Sequence, residues 1–331
     1  MNLNLPVNVL IIGGTGFIGG HVAVELARRG YKVILMDLQP PGLEMRWLFK
    51  PFEQEIRYCK GSINDLPTML SIVKTENIEK VIHTSAVTDL EILVNQPLSA
   101  QRVMVEGHLN VMELGRLSTV KRIVFTSSIA VYAPVQYVPM DENHPVLSPI
   151  AGPTLASYSS FKLAAESTSL FYWAYHGVDC ISLRLSAVYG FAMKYPMYIK
   201  PMIENTLQGI PCEFSTGADM RRDYTYIEDV VSGIALALEA PKNLPSRIYN
   251  ITSGAELSSA GEVAKVVTKI IPTADIRIGA GLSNLEAKDL QSRGRLSIER
   301  ASKELCFTPQ HSLDKGICKY IEQYKSFLKA L

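Results

Sequence analysis

Short β-branched apolar runs alternate with segments of helical period through the first third of the chain, the pattern of a parallel sheet covered by helices. Residues 7–12 predict a buried strand. Val22, Leu26 and Arg29 recur at helical spacing, and Gly30 is placed to stop that helix. Residues 31–37 predict the second strand, 56–59 the third and 80–84 the fourth. Between the last two, Leu66, Met69, Leu70 and Val73 return to helical spacing. A helical stretch over about 98–117 leads into a strand at 122–126, followed by a helix over 156–175 and a strand at 180–185. Beyond Gly190 the pattern loosens at Pro196, Pro201 and Pro211, as expected of loops and short helices. Residues 225–239 then predict a helix, 247–251 a strand, and 312–331 an amphipathic surface helix. No internal repeat or low-complexity segment interrupts this order.

Composition adds exclusions. A chain of 331 residues, 47% apolar and 20% charged, can bury one large core plus a smaller lobe. The net charge is +1 with the basic residues dispersed, so a nucleic-acid footprint is not expected. Five cysteines, an odd number without CxxC or Cys/His ligand spacing, predict reduced thiols in a cytoplasmic protein and no metal site. The first twelve residues lack a basic stretch and a small-residue cleavage pattern. Their apolar run is far too short to span a bilayer, so neither a leader nor a membrane anchor is expected.

Gly13-Gly14-Thr15-Gly16-Phe17-Ile18-Gly19 follows the first predicted strand and opens the first helix. A pyrophosphate can rest on free N–H groups at a helix N-terminus only if the backbone turn admits it closely. A Cβ at Gly13 or Gly16 would hold the phosphates away, and one at Gly19 would separate helix from strand. Asp37 closes the second strand, where its carboxylate can accept hydrogen bonds from the adenosine ribose and repel a 2′-phosphate. The combination predicts NAD in preference to NADP; a glycine-rich turn alone would equally suit a loop without a ligand.

Tyr158 and Lys162 lie four apart on a predicted helix and so share one face. With 15 tyrosines in 331 residues, such a Tyr–Lys pair is expected about once by chance. Its position is more informative. The pair comes some thirty residues after Thr126-Ser127-Ser128, at the carboxyl end of a strand, where open α/β sheets bind ligands. Moving a hydride from a secondary alcohol needs a base for the hydroxyl proton. A phenol requires about 4 kcal/mol of stabilisation of its ionised form to titrate near pH 7. Lys162 can supply that field and also bind the nicotinamide ribose, while Ser128 can hold the substrate oxygen. The alternative makes Tyr158 a packing residue and Lys162 a solvated charge.

The ordered motifs GGTGFIG, Asp37, FTSSIAVY, YSSFK, LRLSAVYG and RRDYTYIEDV resemble the extended short-chain dehydrogenase/reductase family, also called NAD-dependent epimerase/dehydratases. The resemblance runs through nearly the whole chain. It implies a Rossmann-type doubly wound parallel sheet (an α/β fold) with a smaller C-terminal substrate-binding lobe, and a homodimer. By this reading residues 1–190 form the NAD-binding domain, to which 220–253 return, and 191–219 with 254–331 form the substrate lobe. Ser128, Tyr158 and Lys162 match the family's catalytic residues. Thr84, Ser85 and Ala86 match the stretch lining the cofactor after strand four. Ser62-Ile63 falls where an Asp-Ile pair usually flanks the adenine, and the serine is a departure.

Other departures bear on the reaction. Dehydrating or decarboxylating relatives usually carry an acid just after the catalytic serine or threonine, whereas Ile129 and Ala130 follow Ser128 here. Hydride retained by an epimerase, or released by a net dehydrogenase or reductase, remains. Arg222 matches an arginine set on nucleotide phosphates, with an ion pair to Asp223 or Asp229 as its alternative role. Ala187 replaces a diphosphate-touching asparagine, and Met104 a helix asparagine near the cofactor. Arg293 and Arg295 read as solvated charges, with a second phosphate contact as the alternative. The expectation is a nucleotide-sugar epimerase with a transient keto intermediate. A net dehydrogenase of a small hydroxy compound and a dinucleotide-binding regulator without turnover are the alternatives.

Overall fold

The computed structural model describes residues 7–147 and 156–331; residues 1–6 and 148–155 of the expected first domain lie outside them. Seven parallel strands form one sheet: β1 (Asn8–Ile12), β2 (Lys32–Asp37), β3 (Ile56–Lys60), β4 (Ile78–His83), β5 (Arg122–Ser128), β6 (Cys180–Leu185) and β7 (Ile248–Ile251). Their order is β7-β6-β5-β4-β1-β2-β3, so the winding reverses between β1 and β4. That reversal opens a crevice at the carboxyl ends of the strands, the usual ligand position in this architecture.

Alternation along β1 explains the doubly wound form. Val9 and Ile11 enter one core with Val22, Leu26, Val230 and Ile234. Leu10 and Ile12 enter the other with Met69, Val111, Met112 and Phe125. All four β1 side chains are essentially sealed from solvent, each contributing about 1.5–3 kcal/mol of burial. The first face is covered by α1 (Phe17–Arg28) and α5 (Ile227–Glu239), the second by α2 (Leu66–Thr75), α3 (Gly107–Leu117) and α4 (Ala156–His176).

The strand and helix cores match the apolar pattern, and one predicted element differs. Residues 97–117 are helical throughout, as the pattern predicts, with a π-helical segment, Arg102–Glu106, between the α-helical Pro97–Gln101 and α3. Gly107 brings α3 hard against Ile63, where a Cβ would come within 2.8 Å of the isoleucine side chain. The predicted helix at 225–239 starts two residues later, because Tyr224–Tyr226 is a buried strand pairing with Ala187–Tyr189. Alternating aromatic and β-branched side chains favour that extended form.

The remaining segments, 191–219 and 254–331, pack into the first core through residues such as Ile199, Val263 and Ile317. They carry Ile199–Leu207, α6 (Ala260–Ile270) and α7 (Leu313–Ala330). α6 starts from a capping box, Ser259 with Glu262, whose S-x-x-E signal is present in the sequence. α7 is amphipathic, as its pattern predicts, and buries Ile317, Tyr320, Ile321 and Phe327. Short pairings fix the neighbourhood of Arg222: Arg221–Arg222 lies antiparallel to Ser258–Ser259.

Candidate active site at the carboxyl edge of the sheet

In-register pairing brings the ends of β1, β4 and β5 to one level: Ile12 opposes His83, and His83 opposes Phe125. The glycine turn, Thr84–Ala86 and Ser128 therefore gather at one edge.

Gly13 adopts φ +81°, a conformation that side chains disfavour. A Cβ there would stand 2.7 Å from the Ser85 backbone nitrogen, and one at Gly19 would stand 2.5 Å from the Gly13 carbonyl. Gly16 is the N-cap of α1 and supplies no side-chain cap, leaving the first-turn N–H groups of Phe17 and Ile18 open to an anion. Thr84 pins the turn, its hydroxyl donating to the carbonyls of Ile12 and Gly13 at 3.1 Å each. The Asp37 carboxylate accepts from the Thr15 hydroxyl at 2.8 Å and from the Leu38 N–H at 2.8 Å. Its remaining lone pairs can still take ribose hydroxyls. Ile63 is buried, and Ser62 uses its hydroxyl to accept from the Asn64 N–H at 3.2 Å. A tight turn that glycine alone permits, an uncapped helix start and a carboxylate at the end of β2 fit NAD.

α4 sets three residues spaced by four against three consecutive residues of β5. Tyr158 faces Ser128, Lys162 donates to the Thr126 carbonyl at 2.6 Å, and Glu166 accepts from the Ser127 hydroxyl at 2.6 Å. Burial pushes the Tyr158 phenol up to about 12, opposed by Ser128 and by the charge of Arg293. Burial lowers Lys162 to about 7, opposed by Glu166. The imidazoles beside it add no competing positive charge: burial, with the Lys162 charge, holds His83 well below its ordinary value and His108 at about 3. Ser128 caps a single 3₁₀ turn, Ile129–Val131, accepting from the Ala130 N–H at 3.1 Å, so its hydroxyl hydrogen is available to a substrate oxygen. Met104 packs with Leu93 and Ala100 against Tyr158 and Phe161.

Glu166 escaped the sequence reading, although it continues the four-residue spacing of Tyr158 and Lys162. It is fully paired with Arg184 of β6, at 2.7 Å and 3.0 Å. Arg184 stacks on Tyr132 at 4.7 Å, and Tyr132 donates to Asn250 of β7 at 2.8 Å. Asn250 in turn donates to the carbonyls of Met140 and Ser297. This buried polar chain anchors the loop that carries Arg293.

Arg222 pairs with neither Asp223 nor Asp229. Asp223 is buried and accepts from Ser186, Thr225 and the Ser253 N–H, while Asp229 accepts from Gln310 and His311. Arg222 instead meets Asp289 at 3.1 Å, and the same carboxylate holds Arg293 at 2.6 Å. Arg293 is not a solvated charge: its side chain is only 11% exposed, because Gly294 and the Met140–Leu296 bridge press its loop inward. Arg295 does point outward, towards Glu256. Ala187 starts the short strand beside Tyr224.

The model of the NAD dependent epimerase/dehydratase family matches residues 9–252. UDP-glucuronate 4-epimerase 1 of Arabidopsis thaliana is 25% identical over 345 residues, covering 97% of this chain and 77% of the relative. MoeE5, solved in complex with UDP-glucose and NAD, is 26% identical with a TM-score of 0.80, covering 97% of this chain and 99% of that one. The UDP-glucose 4-epimerase of Thermotoga maritima, 24% identical, shares the fold with a TM-score of 0.82 over 97% of this chain and 100% of that one.

Proposed function

The chain belongs to the NAD dependent epimerase/dehydratase family, and from that premise we propose that it inverts a hydroxyl-bearing carbon, C4, of a nucleotide sugar through a transient keto sugar. One observation carries the reading: Tyr158 faces Ser128 within the field of Arg293, and Arg293 shares the Asp289 carboxylate with Arg222. The relatives named above, UDP-sugar epimerases among them, support it.

NAD, held by the glycine turn and Asp37, would supply reversible hydride acceptance when bound. The residues of the chain supply the rest. Tyr158 accepts the hydroxyl proton, with Lys162 and Ser128 favouring its ionised form. Ser128 donates to the substrate oxygen and holds it at the strand end. Arg222 binds the diphosphate as a charge-assisted contact. Neither Ile129 nor Ala130 can withdraw a proton from the neighbouring carbon, which keeps the keto sugar from eliminating water. Gly13, Gly16, Phe17, Ile18, Gly19, Asp37, Ser62, Ile63, Thr84, Ser85 and Ala86 line the dinucleotide in this reading. Residues 1–190 with 220–253 hold the cofactor, and 191–219 with 254–331 the sugar nucleotide.

Two further parts of the reading rest on surface features. α3 and α4 pack together and expose Leu109, Leu117, Phe171 and Trp173, which fits a homodimer through these helices. All five cysteines are free thiols, and no helix among the described residues is long and apolar enough to cross a membrane. Both facts are compatible with a cytoplasmic enzyme. The deciding experiment incubates the protein with NAD and UDP-glucose or UDP-glucuronate and resolves the products by chromatography. The C4 epimer without accumulated NADH is expected. Steady NADH release with a simple hydroxy compound, and no effect of UDP, would identify a net dehydrogenase instead.

A further inference from the structure

Four charged side chains meet around Asp289. Its carboxylate pairs with Arg222 at 3.1 Å and with Arg293 at 2.6 Å. Glu286, one turn earlier, stands in the field of Arg222 and accepts from the Tyr198 hydroxyl at 2.6 Å. Two guanidinium cations thus face two carboxylates, and the group carries no net charge. The Asp289 and Arg293 side chains are largely buried, so solvent screens them little. The Nε of Arg293 is buried and has no hydrogen-bond partner among the described residues, so pairing with Asp289 leaves one donor of that fork unused.

Both carboxylates come from one short element, the helix Asn284–Leu290, none of whose apolar residues is sealed from solvent. Its flanks are tied down. The Gly281 N–H donates to Asp219 at 2.8 Å, and the Gln291 carbonyl accepts from the Val135 N–H at 2.9 Å. Between these ties the charged contacts, rather than core packing, hold the helix to the arginines. A strap that buries so little apolar surface detaches at small cost.

A diphosphate approaching Arg222 meets a cation already neutralised and two carboxylates beside it. Anion and Asp289 compete for the same donors, and like charges repel strongly where screening is weak. We propose that the helix Asn284–Leu290 is an electrostatic latch: Asp289, seconded by Glu286, occupies the two arginines in the empty protein, and an incoming diphosphate must displace it. The inference rests on the nucleotide-sugar reading for the identity of the anion and adds a control on that site. Asp289 is then an internal competitor for the ligand. A latch closed nine-tenths of the time lowers the apparent affinity of the anion about tenfold.

The test measures dissociation constants of UDP and of inorganic pyrophosphate by calorimetry, with NAD present. Asp289→Asn keeps the shape of the side chain and removes its charge, so it should bind both anions about tenfold more tightly than the wild type. Glu286→Gln can still accept from Tyr198; it should tighten both by a smaller factor, and it covers the case in which Asp289→Asn does not fold. Glu299→Gln, at an exposed acid paired with Lys303, should change neither affinity. Thermal unfolding separates a merely structural role: Asp289→Asn should have a lower Tm than the wild type without ligand and a larger rise with UDP. Unchanged or weaker anion binding in Asp289→Asn overturns the proposal, since the carboxylate would then hold the arginines ready for the ligand. Equal tightening in Glu299→Gln overturns it too, by making the effect one of net charge. Tightened pyrophosphate binding with no binding of UDP would keep the latch and refute the nucleotide reading, whereas failure to bind either anion overturns both.

Discussion

The ammonium nitrogen of Lys162 lies 5.8 Å from the centre of the Tyr158 ring, one helical turn along α4, while it donates to the Thr126 carbonyl. The strand end thus fixes the lysine, while Ser128 and Arg293 act on the phenol. In the proposed mechanism Tyr158 is the base. Tyr158→Phe should lower kcat by two or more orders of magnitude while the NAD-induced rise in Tm persists. A variant with unimpaired turnover would require another base.

The lysine is costly to the fold. Burial lowers it to about 7 from 10.5, so the unfolded chain binds this proton more tightly than the native one between those values. Its charged form therefore penalises stability fully below pH 7, and the penalty lifts as pH rises from 7 towards 10.5. Lys162→Met, of similar shape and without charge, should show its greatest stability relative to wild type near pH 6. Urea unfolding at pH 6 and 9 should show that difference shrinking at the higher pH. A difference independent of pH would place the lysine charge in solvent.

Asp37 is held by Thr15 at the mouth of the glycine turn. NAD should stabilise the wild type more than NADP at equal concentration. Asp37→Ala should weaken NAD by about tenfold or more and narrow the gap, because one carboxylate provides both the ribose hydrogen bonds and the repulsion of a 2′-phosphate. Thermal shift with both dinucleotides reads this directly, and equal stabilisation of the wild type by the two would refute it.

Glu166 neutralises Arg184 where both are almost wholly buried, at 2% and 3% exposure. Removing one partner leaves the other charge without compensation. Glu166→Ala should cost about 3–5 kcal/mol in urea unfolding, and Glu166→Gln less, since it can still meet Ser127. A loss under about 1 kcal/mol for the alanine variant would mean that water enters to solvate Arg184.

The sheet was legible because its signals are local. Apolar β-branched runs, the glycine turn and Asp37 each declare themselves within a few residues, and strand order then follows from parallel winding. The Tyr158/Lys162 pair was legible by its position some thirty residues after the strand end that carries Ser128, since the spacing alone arises about once by chance. Glu166 was not, because a buried acid on a helix looks like any solvated acid until Arg184 of β6 is seen to face it. The Arg222–Asp289–Arg293 arrangement was equally hidden, since its members come from segments far apart in the chain and only the fold selects Asp289 over Asp223 and Asp229. The π-turn at Arg102–Glu106 leaves no mark in composition, as its residues are ordinary helix formers.

The last strand of the sheet, β7, comes from residues 248–251, after the chain has already left the sheet once to form the elements between β6 and β7. No single cut can therefore release either half intact. A fragment ending near residue 190 would bare the length of β6, whose N–H and C=O groups would pair with whatever strand came next. Aggregation, not a soluble half-protein, is its expected fate. The complementary fragment would begin with segments whose partners had been removed. Insertions and tags belong at exposed turns outside the segment that joins β6 to β7, which should stay whole.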